Sequence, residues 1–162
     1  MHDAQSIARG RPDLDYGLVS MRMIRLFVVL RRSGILAQRR QFGLSETEWR
    51  IMTQLGENAP LSLNGLAEAM VQDRGQLSRA VKAMVERGLL TRERKPGGPE
   101  IEIDLSGEGR KVYDQMVDWV HERDRLLTRD IPAEDAAVVW RVLGMMREQA
   151  QAMLEEEQRL GS

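Results

Sequence analysis

Asp73-Arg74-Gly75-Gln76-Leu77-Ser78-Arg79-Ala80-Val81-Lys82-Ala83-Met84-Val85-Glu86-Arg87-Gly88 is the stretch on which the reading of this chain turns. Asp73 is placed to cap a helix, Gln76 follows three residues later as in a capping box, and Gly88 suits the position just past the last turn. At about 100° per residue, Leu77, Ala80, Val81 and Met84 share one face, while Gly75, Ser78, Arg79 and Lys82 share the other. Any surface helix shows a polar outer face. Less usual is an outer face whose first turns carry Gly, Gln, Ser, Arg and Lys without a carboxylate.

Upstream, Val71-Gln72-Asp73 is a sharp turn after the short run Gly65-Leu66-Ala67-Glu68-Ala69-Met70, for which Ser62 is the N-cap and Leu61 and Leu66 the hydrophobic staple. Before it, Ser45-Glu46-Thr47-Glu48 reads as a capping box with Leu44 and Trp49 as staple. Trp49, Met52 and Leu55 form that helix's stripe, and Gly56 to Pro60 are expected to end it. Downstream, 89–94 and 101–105 read as paired strands, the second alternating with Ile101, Ile103 and Leu105 inward, and 95–100 form the hairpin loop. Ser106 caps a helix to about Arg129 whose stripe is Val112, Met116, Trp119, Val120 and Leu127. Pro132 opens a last helix in which Ala136, Val139, Trp140, Leu143, Met146, Ala150, Met153 and Leu154 recur at helical spacing.

At the other end, residues 1–15 are polar, contain Gly10 and Pro12, and read as a flexible arm. From Tyr16 to about Gln41 runs a helix whose middle, Met23 to Leu30, is apolar almost all round and calls for cover on more than one side. A partner subunit is one source of that cover. Arg22, Arg25 and Arg31 on this helix are read as pairing with the acidic C-terminal segment in preference to an anionic ligand.

Composition bounds the chemistry. The 162 residues suit one domain and include no cysteine, so disulfides, thiolate nucleophiles, cysteine zinc sites and thiol redox sensing are excluded. Two histidines, His2 and His121, do not assemble a triad or metal site. Asp114, Asp118 and Glu122 at helical spacing read as a solvated face in preference to a metal face. Trp119, Trp140 and the ten methionines read as core. The longest apolar run, Leu26 to Leu30, is far short of the roughly 20 residues that span a bilayer. The first residues carry Asp3, Asp13 and Asp15 and no apolar core of a signal peptide, so a cytoplasmic protein without membrane contact is expected. Net charge is −1, but it is unevenly spread: residues 71–95 carry +4 and residues 96–162 carry −7. A basic segment beside an acidic tail is compatible with DNA, because attraction to phosphate is screened beyond about 10 Å.

Two short helices, a sharp turn and a β-hairpin follow the order of a winged helix-turn-helix, whose second helix enters the major groove N-terminus first. Arg and Gln side chains there read guanine and adenine edges, and Ser, Lys and the helix N-terminus hold phosphate. The candidate DNA-binding residues are therefore Arg74, Gly75, Gln76, Ser78, Arg79 and Lys82 on the helix, with Arg92, Arg94 and Lys95 on the hairpin. The same winged fold also serves as a protein–protein module without DNA binding, which stands as the alternative. No nucleophile–base pair or metal set can be assembled, so neither an enzyme nor a cofactor is expected.

The order helix, winged helix-turn-helix, two long helices resembles the MarR (multiple antibiotic resistance regulator) family of transcription factors over about residues 16–155. The stretches that carry the resemblance are 44–52 (Leu44 to Met52), Leu66-Ala67, Arg74-Gly75-Gln76-Leu77-Ser78-Arg79-Ala80-Val81, Glu86-Arg87-Gly88-Leu89-Leu90 and Leu105-Ser106-Gly107-Glu108-Gly109. The resemblance implies a mainly α fold with a small β-hairpin wing: a winged helix-turn-helix over 44–105, and long terminal helices, 16–42 and 106–160, that form a homodimer. It also implies a pseudo-palindromic duplex operator, repression, and release by a small aromatic or anionic effector. The family's wing usually carries an Asp-Arg pair at its tip; here those positions fall on Gly97-Gly98-Pro99, leaving Arg92, Arg94 and Lys95 as the wing's candidates.

Overall fold

Three helices and a small sheet enclose a core built from residues that recur at helical or strand spacing. A computed structural model describes residues 17–94 and 101–161. The elements are α1 (Val19–Phe42), α2 (Glu46–Asn58), β1 (Leu61–Ser62), α3 (Leu63–Met70), α4 (Arg74–Glu86), β2 (Leu90–Arg94), β3 (Ile101–Leu105), α5 (Gly107–Thr128) and α6 (Ala133–Leu160). Contacts divide the chain into two compact units, one ending at Tyr113 and one beginning at Asp114.

The first unit holds the winged helix-turn-helix. Its core is Leu44, Ile51, Met52 and Leu55 from α2 and its approach, Leu66 and Met70 from α3, Leu77, Val81 and Met84 from α4, and Leu89, Leu90, Ile103 and Leu105 from the sheet, all buried. The cap signals are realised. Ser45 Oγ accepts the Glu48 N–H while the Glu48 carboxylate accepts the Ser45 N–H, closing the box. Ser62 Oγ accepts from the Gly65 N–H, Asp73 Oδ1 from the Gln76 N–H, and Ser106 Oγ from the Gly109 N–H. At the end of α4, Gly88 takes φ 74°, and the Leu89 and Gly88 amides donate to the carbonyls of Met84 and Val85, a Schellman motif.

α2 ends within the expected stretch Gly56 to Pro60, at Asn58 with Ala59 as its cap. Gly56 itself makes room for a neighbour: a Cβ there would lie 2.1 Å from the Tyr113 ring, so a bare backbone admits the start of α5. One expectation is corrected: the two-stranded hairpin gains a third strand. Leu61 and Ser62 pair with Ile103 and Glu102, giving the antiparallel order β1-β3-β2. Two residues are too few for an alternation to be visible.

The second unit consists of the remainder of α5 and α6. Met116 is buried, but α6 buries no residue and Trp140 is 77% exposed. The first unit has its own unburied length: Met23 to Val29 of α1 are all exposed. The tryptophan and several methionines read as core are therefore open within one chain. Periodicity groups residues on a face without saying what covers it.

Candidate nucleic-acid interface

α4 is held from beneath and open above. Leu77, Val81 and Met84 are 0–1% exposed and seat it on the core. Away from that seat Arg74, Gly75, Gln76, Arg79 and Lys82 are exposed and Ser78 is half-buried, with Gly75, Ser78, Arg79 and Lys82 sharing the outer face and Arg74 and Gln76 flanking it. With Asp73 engaged as cap, the first two turns, Arg74 to Val81, present no carboxylate. A Cβ at Gly75 would stand 3.2 Å from Asp73 Oδ1 and 4.0 Å from an Arg79 guanidinium nitrogen, so the missing side chain leaves clear ground beside Arg79. Lys82 sits 3.9 Å from Glu86 one turn on, an exposed pair that phosphate can displace.

The turn before α4 is tightly determined. Val71 adopts a left-handed conformation at φ 48°, and its amide and that of Gln72 close back onto the carbonyls of Glu68 and Ala67. Arg50 Nη2 donates to the Met70 carbonyl at 2.6 Å, tying α2 to the end of α3. Gln72 Nε2 donates to Thr47 Oγ1 at 3.4 Å. Sequence reasoning missed Arg50 and Arg87 as residues that shape the site, since their acceptors lie 20 or more positions away in the chain.

On the wing, Arg92 and Arg94 are exposed on β2, and Lys95 and the tip Gly97-Gly98-Pro99 lie outside the described residues. The register pairs Arg92 with Ile103 and Arg94 with Ile101. Directly paired residues share a sheet face, so both arginines lie on the face that carries the buried Leu90 and Ile103, beyond the core's edge. The other face carries Glu93 opposite Glu102, and Thr91 opposite Asp104. Only the arginine face suits a polyanion. Ile101, read as inward, is 39% exposed near this outer end.

Elsewhere, Arg31 does not pair with the acidic C-terminal segment. It holds Glu46 at the start of α2, donating from Nε and Nη2 at 2.7–3.0 Å, because one helix turn into the next element is nearer than a segment a hundred residues away. His121, Asp114, Asp118 and Glu122 are exposed, with Glu122 paired to Arg125. Among the described residues, no three His, Cys, Asp or Glu side chains gather as a metal site, and no helix is long and apolar enough to cross a membrane.

Fold and site together define a winged helix-turn-helix whose second helix presents a carboxylate-free outer face over its first two turns. Residues 42–98 match a sequence model of the MarR family. The HTH-type transcriptional regulator FarR of Neisseria gonorrhoeae is 26% identical, covering 71% of this chain and 90% of FarR. Among solved structures, MepR, a transcription regulator of the Staphylococcus aureus multidrug efflux pump MepA, superposes with a TM-score of 0.74 at 15% identity, covering 83% of this chain and 99% of MepR. A MepR variant bound to an oligodeoxyribonucleotide gives 0.60 at 14% identity, with the same coverage.

Proposed function

We propose that this protein is a transcriptional regulator that works as a homodimer, grips a pseudo-palindromic duplex operator, represses transcription there, and is released by a small aromatic or anionic ligand. The observation that carries the reading is the outer face of α4: cationic and amide side chains, a bare Gly75, and no carboxylate in the first two turns, on a helix seated by buried residues. Gln76 and Arg79 have the donor patterns that read base edges. Arg74, Ser78 and Lys82 suit phosphate, and Gly75 lets the backbone come close. Arg92, Arg94 and Lys95 add positive charge alongside the groove. The exposed lengths of α1 and α6 support association of two copies through the terminal helices, since a patch of that size is unusual on a monomer. A DNA-bound role places its action in the cytoplasm, and it needs neither cofactor nor catalysis.

Selection of bound sequences from a random duplex pool supplies the operator on which the reading is tested. Arg79→Ala and Gln76→Ala should each weaken operator binding by roughly 1–3 kcal/mol and relax preference at one base position. Operator affinity unchanged in both variants would overturn the role of α4. Affinity for non-specific duplex should fall as a power of salt concentration; an absence of any such binding would favour the protein–protein module instead.

A further inference from the structure

The far end of the recognition helix reaches the joint where α1 gives way to α2, through one side chain. Arg87, the C-cap of α4, donates from Nη1 to Glu48 Oε1 at 2.7 Å and from Nη2 to the Gly43 carbonyl at 3.2 Å. Both acceptors are themselves fixed. Gly43 closes α1 in a left-handed conformation, its amide bonded to the Arg39 carbonyl. Glu48 is the capping-box carboxylate of α2, its other oxygen taking the Ser45 amide at 2.7 Å. The Glu48 side chain is only 14% exposed, so the pair is shielded more than most at a surface. Burial raises the Glu48 pKa, but the Ser45 hydrogen bonds and the Arg87 charge outweigh it, and the carboxyl stays below its usual value, ionised for the pair.

A second brace lies at the same joint, Arg31 of α1 on Glu46 of α2. Arg31 ties α1 to α2, whereas Arg87 ties α4 to both the end of α1 and the start of α2. We propose that Arg87 is a positioning residue for operator recognition, fixing the angle between α1 and α4 and so the separation at which a dimer presents its two recognition helices. This rests on the reading that two copies bind two half-sites. The lever is long: α4 extends about 20 Å, so a turn of about 10° at Arg87 moves its DNA-facing end by about 3.5 Å, one base-pair step. Half-site spacing on a duplex admits little error of that size.

The test measures binding of the full-length protein to the selected operator and to versions with the spacer between half-sites one base pair longer or shorter. Wild type should lose about tenfold or more on respacing, the scale of a mismatched base pair. Arg87→Gln should bind the native spacing several-fold more weakly, lose less than about threefold on respacing, and hold wild-type affinity for non-specific duplex, since its guanidinium is spent on Glu48 and Gly43 at the far end of α4. Arg87→Lys, which keeps the charge but not the fork, should fall between the two. Glu48→Gln breaks the pair from the α2 side and should reproduce the spacing tolerance if Arg87→Gln folds poorly. Respacing losses equal to wild type in Arg87→Gln and Glu48→Gln would overturn the proposal while leaving the dimer reading intact. A wild-type protein indifferent to spacing would instead overturn the two-half-site reading, and this proposal with it.

Discussion

Val71 occupies backbone that its side chain disfavours. At φ 48° a β-branched residue bears a cost of about 1–2 kcal/mol, and with 93% of its surface exposed it has no packing within the chain to offset that cost. Val71→Asn should therefore raise unfolding stability by about 1 kcal/mol and the thermal midpoint by several degrees, because asparagine tolerates left-handed backbone. Thermal melts of the two proteins check this, and a lower midpoint for the variant would mean that Val71 is covered when the protein is assembled. Nothing at this position in the sequence signalled the conformation, since turns of this kind usually advertise themselves with Gly or Asn. Gly88 did so openly. The outward side chains of α4 were equally legible, because a buried face of Leu77, Val81 and Met84 leaves Arg79 and Lys82 nowhere else to point.

Between residues and domain stand the element junctions, and the one ahead of α2 carries a titratable lock. Folding holds the Glu48 carboxyl below its unfolded pKa, so the unfolded chain binds more protons and stability rises with pH through that range. The contribution is complete above the unfolded value of about 4.3 and fades as pH falls through the folded value. Urea unfolding of wild type and Glu48→Gln from about pH 6 to about pH 3 should show the wild-type advantage shrinking as acid is added. A constant gap would mean that the carboxylate charge does not matter to the fold. The box itself was readable because its partners are three residues apart. Its link to Arg87 was not, being 39 residues long in the chain. For the same reason β1 escaped notice: Ser62 was visible as a helix cap but not as a strand partner of Glu102.

For the molecule as a whole, charge and hydrophobic surface are sorted by region. The basic segment 71–95 coincides with α4 and β2, whereas the acidic remainder includes α5 and α6, so a net charge of −1 conceals a surface suited to polyanions. The apolar belt of Met23 to Leu30 was visible in the sequence as something needing cover, and α1 does leave Met23 to Val29 exposed. Sedimentation at micromolar concentration should give twice the chain mass of 18.5 kDa. A stable monomer there would remove the basis for operator symmetry. The bare surface of α6 has one more effect. If a second copy covers α6, as the proposed dimer requires, its melting temperature should climb with protein concentration and dilution should fray it. A regulator that works as the proposed dimer would read its own abundance: below a threshold number of copies per cell, it would lose its partner and its grip on the operator together.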